Sequence, residues 1–222
     1  ALLHVDFFSD VLGMCTAMDV ILPETTRGQI GMEGKLSSGK VKTLYLLHGL
    51  FGNYTDWVCN TRIQQWAEAQ DLVVVMPSGD NSFYVDWKMP NSNYGKFIGE
   101  ELVAVTRKMF PLSKRREDTF IGGLSMGGFG TWEMAMTYPD AFAAFAPVCG
   151  GGMAWNAGVL KMPIWAFHGA CDTVVSPTQS DEMVEKLKAV GADVRYSRVE
   201  GVGHNVWEHA YNEELLSWLL EH

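Results

Sequence analysis

The stretch from Thr119 to Tyr138 narrows what this chain can fold into more than any other part of it. An apolar run, Thr119-Phe120-Ile121-Gly122, leads into Gly123-Leu124-Ser125-Met126-Gly127, and a helix-like segment follows over Gly128–Tyr138. A serine framed by two glycines at a strand-to-helix junction marks a sharp turn that lifts a hydroxyl above the strand ends. Such a turn holds the serine in strained backbone geometry, and the glycines leave room where a Cβ would collide. It also sets the serine at a helix N-terminus, where the N–H of Met126 can face an oxyanion. The pattern predicts a nucleophilic serine. The competing reading, an ordinary glycine-rich turn, gives no reason for a strand before and a helix after.

Composition removes several classes of function. The 222 residues carry a formal net charge of −9, so no basic stripe is available for nucleic acid. The densest basic cluster, Lys114-Arg115-Arg116, runs straight into Glu117-Asp118 and reads as a solvated loop before a strand. No run of 18 apolar residues is present to span a membrane. The opening Ala-Leu-Leu-His-Val-Asp lacks the charged segment, apolar core and cleavage site of a secretory signal, and we expect a cytoplasmic location. The cysteines, Cys15, Cys59, Cys149 and Cys171, show no metal-ligand spacing and read as free, mostly buried thiols. Cys149 and Cys171 each close an expected strand and are the one pair whose bridging stays open.

Short β-like runs alternate with longer helical ones. Strands are expected at 15–22, 41–47, 72–76, 119–123, 142–148, 163–168 and 193–199, several as continuous apolar runs of the kind buried on both faces of a parallel sheet. Helices are expected at about 61–70, 97–109, 128–138, 177–190 and 206–220. This alternation implies right-handed crossovers with helices on both faces. No repeat, linker or low-complexity run interrupts it, so residues 1–222 read as one domain. Glycines gather where strands end: His48-Gly49, Ser78-Gly79, Gly123–Gly127, Gly150–Gly152, Gly169 and Gly201–Gly203. In open α/β sheets that edge binds ligands.

A serine needs a base, and the base needs an orienting carboxylate. Of six histidines, His204 stands in the glycine-flanked loop Gly201-Val202-Gly203-His204-Asn205, after the last expected strand. His209 is the nearest competitor. His48 and His168 each end a strand before a glycine and read as loop-orienting. For the acid, Asp172 follows the strand ending at His168, on the same sheet edge; Asp181, Glu182 and Asp193 are the alternatives, and read as solvated carboxylates. The resulting order Ser125…Asp172…His204 is that of α/β-hydrolases. Two N–H donors are needed for an oxyanion hole. One is Met126; the other is placed at Leu50, in the tight loop His48-Gly49-Leu50-Phe51-Gly52.

With these loops in place the chain resembles the esterase-D-like group of α/β-hydrolases, which holds tributyrin, feruloyl and acetylxylan esterases and S-formylglutathione hydrolases. The likeness is strongest over about residues 4–148, in His48–Asn53, Asp56-Trp57, Val73–Pro77 and the Gly123–Gly128 motif Gly-Leu-Ser-Met-Gly-Gly. Pro163–Gly169 with Asp172, and Gly201–His204 with Trp207, look more like dienelactone-hydrolase-type esterases. The resemblance implies a mostly parallel twisted sheet with helices on both faces, and serine-dependent hydrolysis of a small-molecule ester without metal or organic cofactor. S-formylglutathione hydrolysis, peptidase-like activity and a silent ligand-binding scaffold are the other readings. Oligomeric state is left open.

Between the strands ending near Cys149 and starting at Pro163 there is no room for a large cap domain. The loops around the edge should instead provide a partial lid. Phe51, Trp87, Trp155 and Trp207 are the candidates to touch substrate. The aromatics of Gly79–Tyr94 (Phe83, Tyr84, Trp87, Tyr94) either stack on an acyl group or pack their loop onto the body. Trp66, Trp132 and Trp218 lie in expected helices and read as core.

Overall fold

In the computed structural model, which describes residues 1–25, 28 and 40–222, the apolar runs join an eight-stranded sheet of order β1-β2-β4-β3-β5-β6-β7-β8. The strands are β1 (Leu2–Ser9), β2 (Met14–Ile21), β3 (Lys42–Leu47), β4 (Leu72–Pro77), β5 (Thr119–Leu124), β6 (Ala144–Val148), β7 (Ile164–Gly169) and β8 (Val194–Val199). β2 runs antiparallel to its neighbours, and the pairings from β4 across to β8 are parallel. This is the α/β-hydrolase arrangement. The strands expected from apolar runs are all present, with ends displaced by a residue or two.

The period of two along a strand divides the core between the two faces. Tyr45 and Leu47 of β3 pack with Val73, Val75 and Ile121 on one face, and Leu44 and Leu46 pack with Val74 and Phe120 on the other. The first face is covered by α4 (Val103–Met109), α5 (Met126–Thr137) and α6 (Thr178–Ala189). The second is covered by α1 (Asp56–Asn60), α2 (Ile63–Ala69), α7 (Trp207–Ala210) and α8 (Glu213–Glu221), through Trp57, Ile63, Ala210 and Leu215. A further short helix, α3 (Tyr94–Lys96), enters a π turn at Phe97–Leu102 that runs on into α4. Gly99 in that turn leaves the space filled by the Tyr138 ring; a Cβ there would lie 2.6 Å from Tyr138 Cγ.

Four local expectations are corrected. β1 was not among the expected strands: its apolar residues come in adjacent pairs, Leu2-Leu3 and Phe7-Phe8, which blurs the alternation even though Leu3, Val5 and Phe7 face inward. The helix expected at 206–220 is broken at Tyr211-Asn212. Asn212 caps α8, its side chain accepting from the N–H groups of Glu214 and Leu215 at 2.9 and 3.1 Å, as a good N-cap residue does. The helix expected at 61–70 is preceded by α1. The thiols are all free but not mostly buried: Cys149 alone is buried, while Cys15, Cys59 and Cys171 are exposed on β2, a short helix and a loop.

No cap domain separates β6 from β7. The connection, residues 149–163, carries one 3-10 turn at Ala154–Val159. Among the described residues no helix is long and apolar enough to cross a membrane.

Candidate active site

Ser125 sits between β5 and α5 with φ 52° and ψ −115°, a strained conformation for a residue with a Cβ. The elbow tolerates it because its glycines touch backbone. A Cβ on Gly123 would lie 2.5 Å from the Gly127 carbonyl oxygen, and one on Gly127 would lie 2.7 Å from the Leu47 carbonyl carbon. The Ser125 N–H donates to the Val148 carbonyl at 2.9 Å, which ties the turn to β6.

His204 and Asp172 reach the serine because the loops after β7 and β8 are bonded together. The N–H groups of Ala170 and Cys171 donate to Val199 and Val202 at 2.9 Å each. Gly169 permits this contact, since a Cβ there would lie 2.5 Å from the Val202 carbonyl oxygen. The result is a continuous array: His204 Nε2 lies 2.9 Å from Ser125 Oγ, and His204 Nδ1 lies 2.7 Å from Asp172 Oδ2. Asp172 Oδ1 accepts from the N–H groups of Val174 and Val175 at 2.8 and 2.9 Å. Burial alone would push the Asp172 carboxyl up; the His204 ring N–H and the two backbone N–H groups outweigh it and hold the carboxyl below its usual value. The ionised carboxylate therefore faces Nδ1, and leaves Nε2 as the nitrogen that can take a proton from Ser125. The Trp207 ring stands perpendicular to the imidazole, centroids 5.8 Å apart.

The loop at Leu50 lies directly over the elbow: a Cβ on Gly49 would meet Leu124 Cδ1 at 2.7 Å and Ser125 Cβ at 3.6 Å. It closes a turn through Gly52 N–H to Gly49 carbonyl at 3.2 Å, with Phe51 in the left-handed region at φ 65°. The Phe51 N–H is engaged by Asn81 Oδ1 at 2.9 Å, which leaves the Leu50 N–H as the donor this loop can offer. Met126 is the first residue of α5, so its N–H has no acceptor within the helix. His48 anchors the loop from beneath. Its Nδ1–H donates to the Gly49 carbonyl at 2.7 Å, its Nε2 accepts from the Gly79 N–H at 2.8 Å, and Tyr84 Oη donates to its carbonyl at 3.0 Å. Burial lowers the His48 pKa, the Gly49 carbonyl opposing it in part, and both ring contacts suit the neutral tautomer.

Against the α5 helix that follows the elbow lies a cavity of about 550 Å³, walled by Phe83, Val85 and Trp87, by Phe129, Glu133 and Met136 of α5, and by Gly151–Met153 and Gln179. Phe129 is one helical turn beyond Ser125, its ring 5.9 Å from and nearly perpendicular to that of Phe83. Of the four aromatics expected at the substrate, Trp87 is in this wall and Trp207 is against His204. Phe51 and Trp155 are 85% and 80% exposed and line none of the cavity. Tyr84 and Tyr94 are buried and pack their loop onto the body. Trp132 is core as expected, and Trp66 and Trp218 pack against the second core. The contributions of Phe129 and of the Asn81 side chain were not foreseen, whereas Gly151 lies in the glycine-rich edge loop the sequence indicated; the position of Phe129, four residues past the serine on the helix, was the available signal.

The Esterase family model matches residues 20–193. The chain belongs to the Esterase family. Among curated relatives, this esterase-family chain is 40% identical to an acetyl esterase of Caldicellulosiruptor saccharolyticus over 142 residues, which is 64% of this chain and 53% of that protein. It is 27% identical to an endo-1,4-beta-xylanase/feruloyl esterase of Xylanibacter ruminicola over 97% of this chain and 29% of that one. The chain thus spans about half the length of the first and less of the second. Among solved structures, an S-formylglutathione hydrolase (FrmB) from Staphylococcus aureus superposes with a TM-score of 0.80 at 25% identity, covering 99% of this chain and 98% of that one.

Proposed function

We propose that this chain is a single catalytic domain that hydrolyses carboxylic esters of short acyl or hydroxycinnamoyl (feruloyl-type) acids, with Ser125, His204 and Asp172 as its triad. The observation that carries the reading is the unbroken Ser125–His204–Asp172 array at hydrogen-bonding distances of 2.9 and 2.7 Å. Ser125 Oγ attacks the ester carbonyl as His204 Nε2 takes its proton. The N–H groups of Leu50 and Met126 receive the tetrahedral oxyanion. The imidazolium, held by Asp172, then protonates the departing alkoxide, leaving an acyl-enzyme. Water attacks that ester with His204 again as base, and the imidazolium gives the proton to Ser125 Oγ as the carboxylic acid leaves.

The Phe83–Phe129 cavity supports an apolar or aryl arm on the substrate, and the short β6–β7 connection supports a cleft open without a moving cap domain. The acetyl and feruloyl relatives support ester over amide. Exposed free thiols at Cys15, Cys59 and Cys171 support a reducing, cytoplasmic setting. A second reading, thioester cleavage of S-formylglutathione, has the likeness to the S. aureus hydrolase in its favour and uses the same groups.

The test is Ser125→Ala, which keeps the fold and loses turnover of 4-nitrophenyl acetate by about 10⁶-fold, as loss of a serine nucleophile does elsewhere. Near-wild-type turnover refutes the assignment. A panel of acetate, butyrate, octanoate and ferulate esters with S-formylglutathione then decides between the two readings.

A further inference from the structure

His168, at the end of β7, is fully buried and stands four residues before Asp172. Its ring meets polar groups on both nitrogens. Nε2 lies 3.0 Å from the Val175 carbonyl oxygen and 3.3 Å from Asp172 Oδ2. Nδ1 lies 2.7 Å from Ser180 Oγ, which is itself 3.0 Å from the Gly150 carbonyl. These contacts put a hydrogen on Nε2. A carbonyl and an ionised carboxylate can only accept, so the nitrogen facing both must carry hydrogen. A neutral ring then takes the single Ser180 hydroxyl hydrogen at Nδ1, in competition with the Gly150 carbonyl to which that hydroxyl can also donate. The opposite tautomer would aim a lone pair at two oxygens.

We propose that His168 is a positioning residue for the triad acid: a neutral, Nε2-protonated imidazole whose N–H is shared between the Val175 carbonyl and Asp172 Oδ2. The proposal rests on the triad reading above. It gives the carboxylate a fourth N–H neighbour, after Val174, Val175 and His204. Val175 closes the arrangement, donating its N–H to Oδ1 and accepting from His168 through its carbonyl, so the carboxylate cannot rotate without breaking contacts on both oxygens. His168 and His204 also share Oδ2, and the first tempers the negative charge that the second receives. Burial holds the His168 pKa low, partly opposed by the Val175 carbonyl and Asp172, in keeping with a neutral ring. The charged and titratable groups acting on the ring are Asp172, His204 and, from α6, Asp181.

The same ring indexes the acid loop to the nucleophile. Ser180 Oγ stands between the ring and the Gly150 carbonyl, at 2.7 and 3.0 Å, and Gly150 is packed on the elbow helix, where a Cβ on Gly128 would lie 3.1 Å from the Gly150 nitrogen. Acid and nucleophile are therefore referred to one backbone.

His168→Gln and His168→Met separate this role from simple packing, because the two side chains are close in shape and only glutamine keeps an N–H near the place of Nε2. Loss of that N–H leaves more of the Asp172 charge to His204 and favours the imidazolium. For His168→Met we expect kcat on a 4-nitrophenyl ester to fall about tenfold, KM to stay within about twofold, and the acidic limb of the kcat/KM profile to move up by about half a pH unit. His168→Gln should stay near wild type in all three. Coincident pH profiles for the two variants overturn the proposal.

A measurement on the wild-type protein depends on neither variant folding. Long-range ¹H–¹⁵N NMR of His168 should show hydrogen on Nε2 alone across about pH 6 to 8; an Nδ1–H tautomer or an imidazolium there overturns it. Failure of the esterase reading would appear separately, as turnover indifferent to Ser125→Ala with the His168 tautomer unchanged.

Discussion

Replacing Asp172 with asparagine should damage catalysis far more than its small change in shape suggests, because the surrounding contacts dictate how the amide sits. Asp172 Oδ1 accepts two backbone N–H groups, from Val174 and Val175 at 2.8 and 2.9 Å. An amide NH₂ at that position would face two donors, so the oxygen must occupy it. The NH₂ is then left on the Oδ2 side, where it meets one donor, His168 Nε2 at 3.3 Å, rather than two, and lies 2.7 Å from His204 Nδ1. A donor there makes Nδ1 the acceptor and moves the imidazole hydrogen to Nε2, the nitrogen 2.9 Å from Ser125 Oγ. The base then presents a hydrogen to the hydroxyl it must deprotonate. A wrong tautomer of this kind costs about 10⁴-fold in kcat in the serine protease where it is known, or about 5.5 kcal/mol in the barrier. The assay is steady-state hydrolysis of 4-nitrophenyl acetate at pH 7.5 beside a thermal melt. A folded Asp172→Asn enzyme within tenfold of wild-type kcat would refute the reasoning, since either Asp172 does not set the tautomer or His204 is not the base.

Two further outcomes follow from the geometry. Asn81→Ala removes the acceptor of the Phe51 N–H, made at 2.9 Å on an exposed loop; kcat should fall several-fold with KM little changed, while stability moves by only about 1 kcal/mol or less, and an unchanged kcat would count against Asn81 holding the Leu50 donor in place. Acidification should destabilise the fold well above the carboxylate range. His48 and His168 both have pKa values lowered by burial, so below about pH 6.5 the unfolded chain takes up protons that the folded one refuses. Stability present above that pH is lost as pH falls toward the folded values, by at most about 1.4 kcal/mol per pH unit for each ring. His4, raised chiefly by its hydrogen bond to Asp19, acts in the opposite sense but is solvent-screened. Asp172, lowered in the fold, adds a separate loss only below about pH 3.9. Urea midpoints at pH 7.5, 6.0 and 5.0 that do not decline would refute buried neutral rings.

How much of this was legible beforehand depended on how local the cause is. The parallel strands were readable because a strand buried on both faces must be apolar at nearly every position, as Val73–Met76 and Phe120–Ile121 are. The elbow was readable because only glycine tolerates the backbone contacts at residues 123 and 127, and Ser125, Asp172 and His204 each follow a strand at one sheet edge. β1 was hidden because a half-exposed edge strand needs only three inward residues, and its apolar pairs break the alternation that would reveal it.

The chain by itself determined the architecture and pointed to Ser125, Asp172 and His204, since both arise from local geometry and from rules that hold along a single strand or turn. Only the tertiary structure decided what surrounds them. That His168 and His204 both lie against Asp172, that Asn81 takes the Phe51 N–H, and that Phe83 meets Phe129 in a cavity wall are contacts between residues 4 to 46 positions apart, made by residue types that would suit many other partners. The physical reason is range: backbone strain and burial leave their mark on the residues that bear them, whereas a side-chain hydrogen bond between two loops depends on how the sheet brings those loops together.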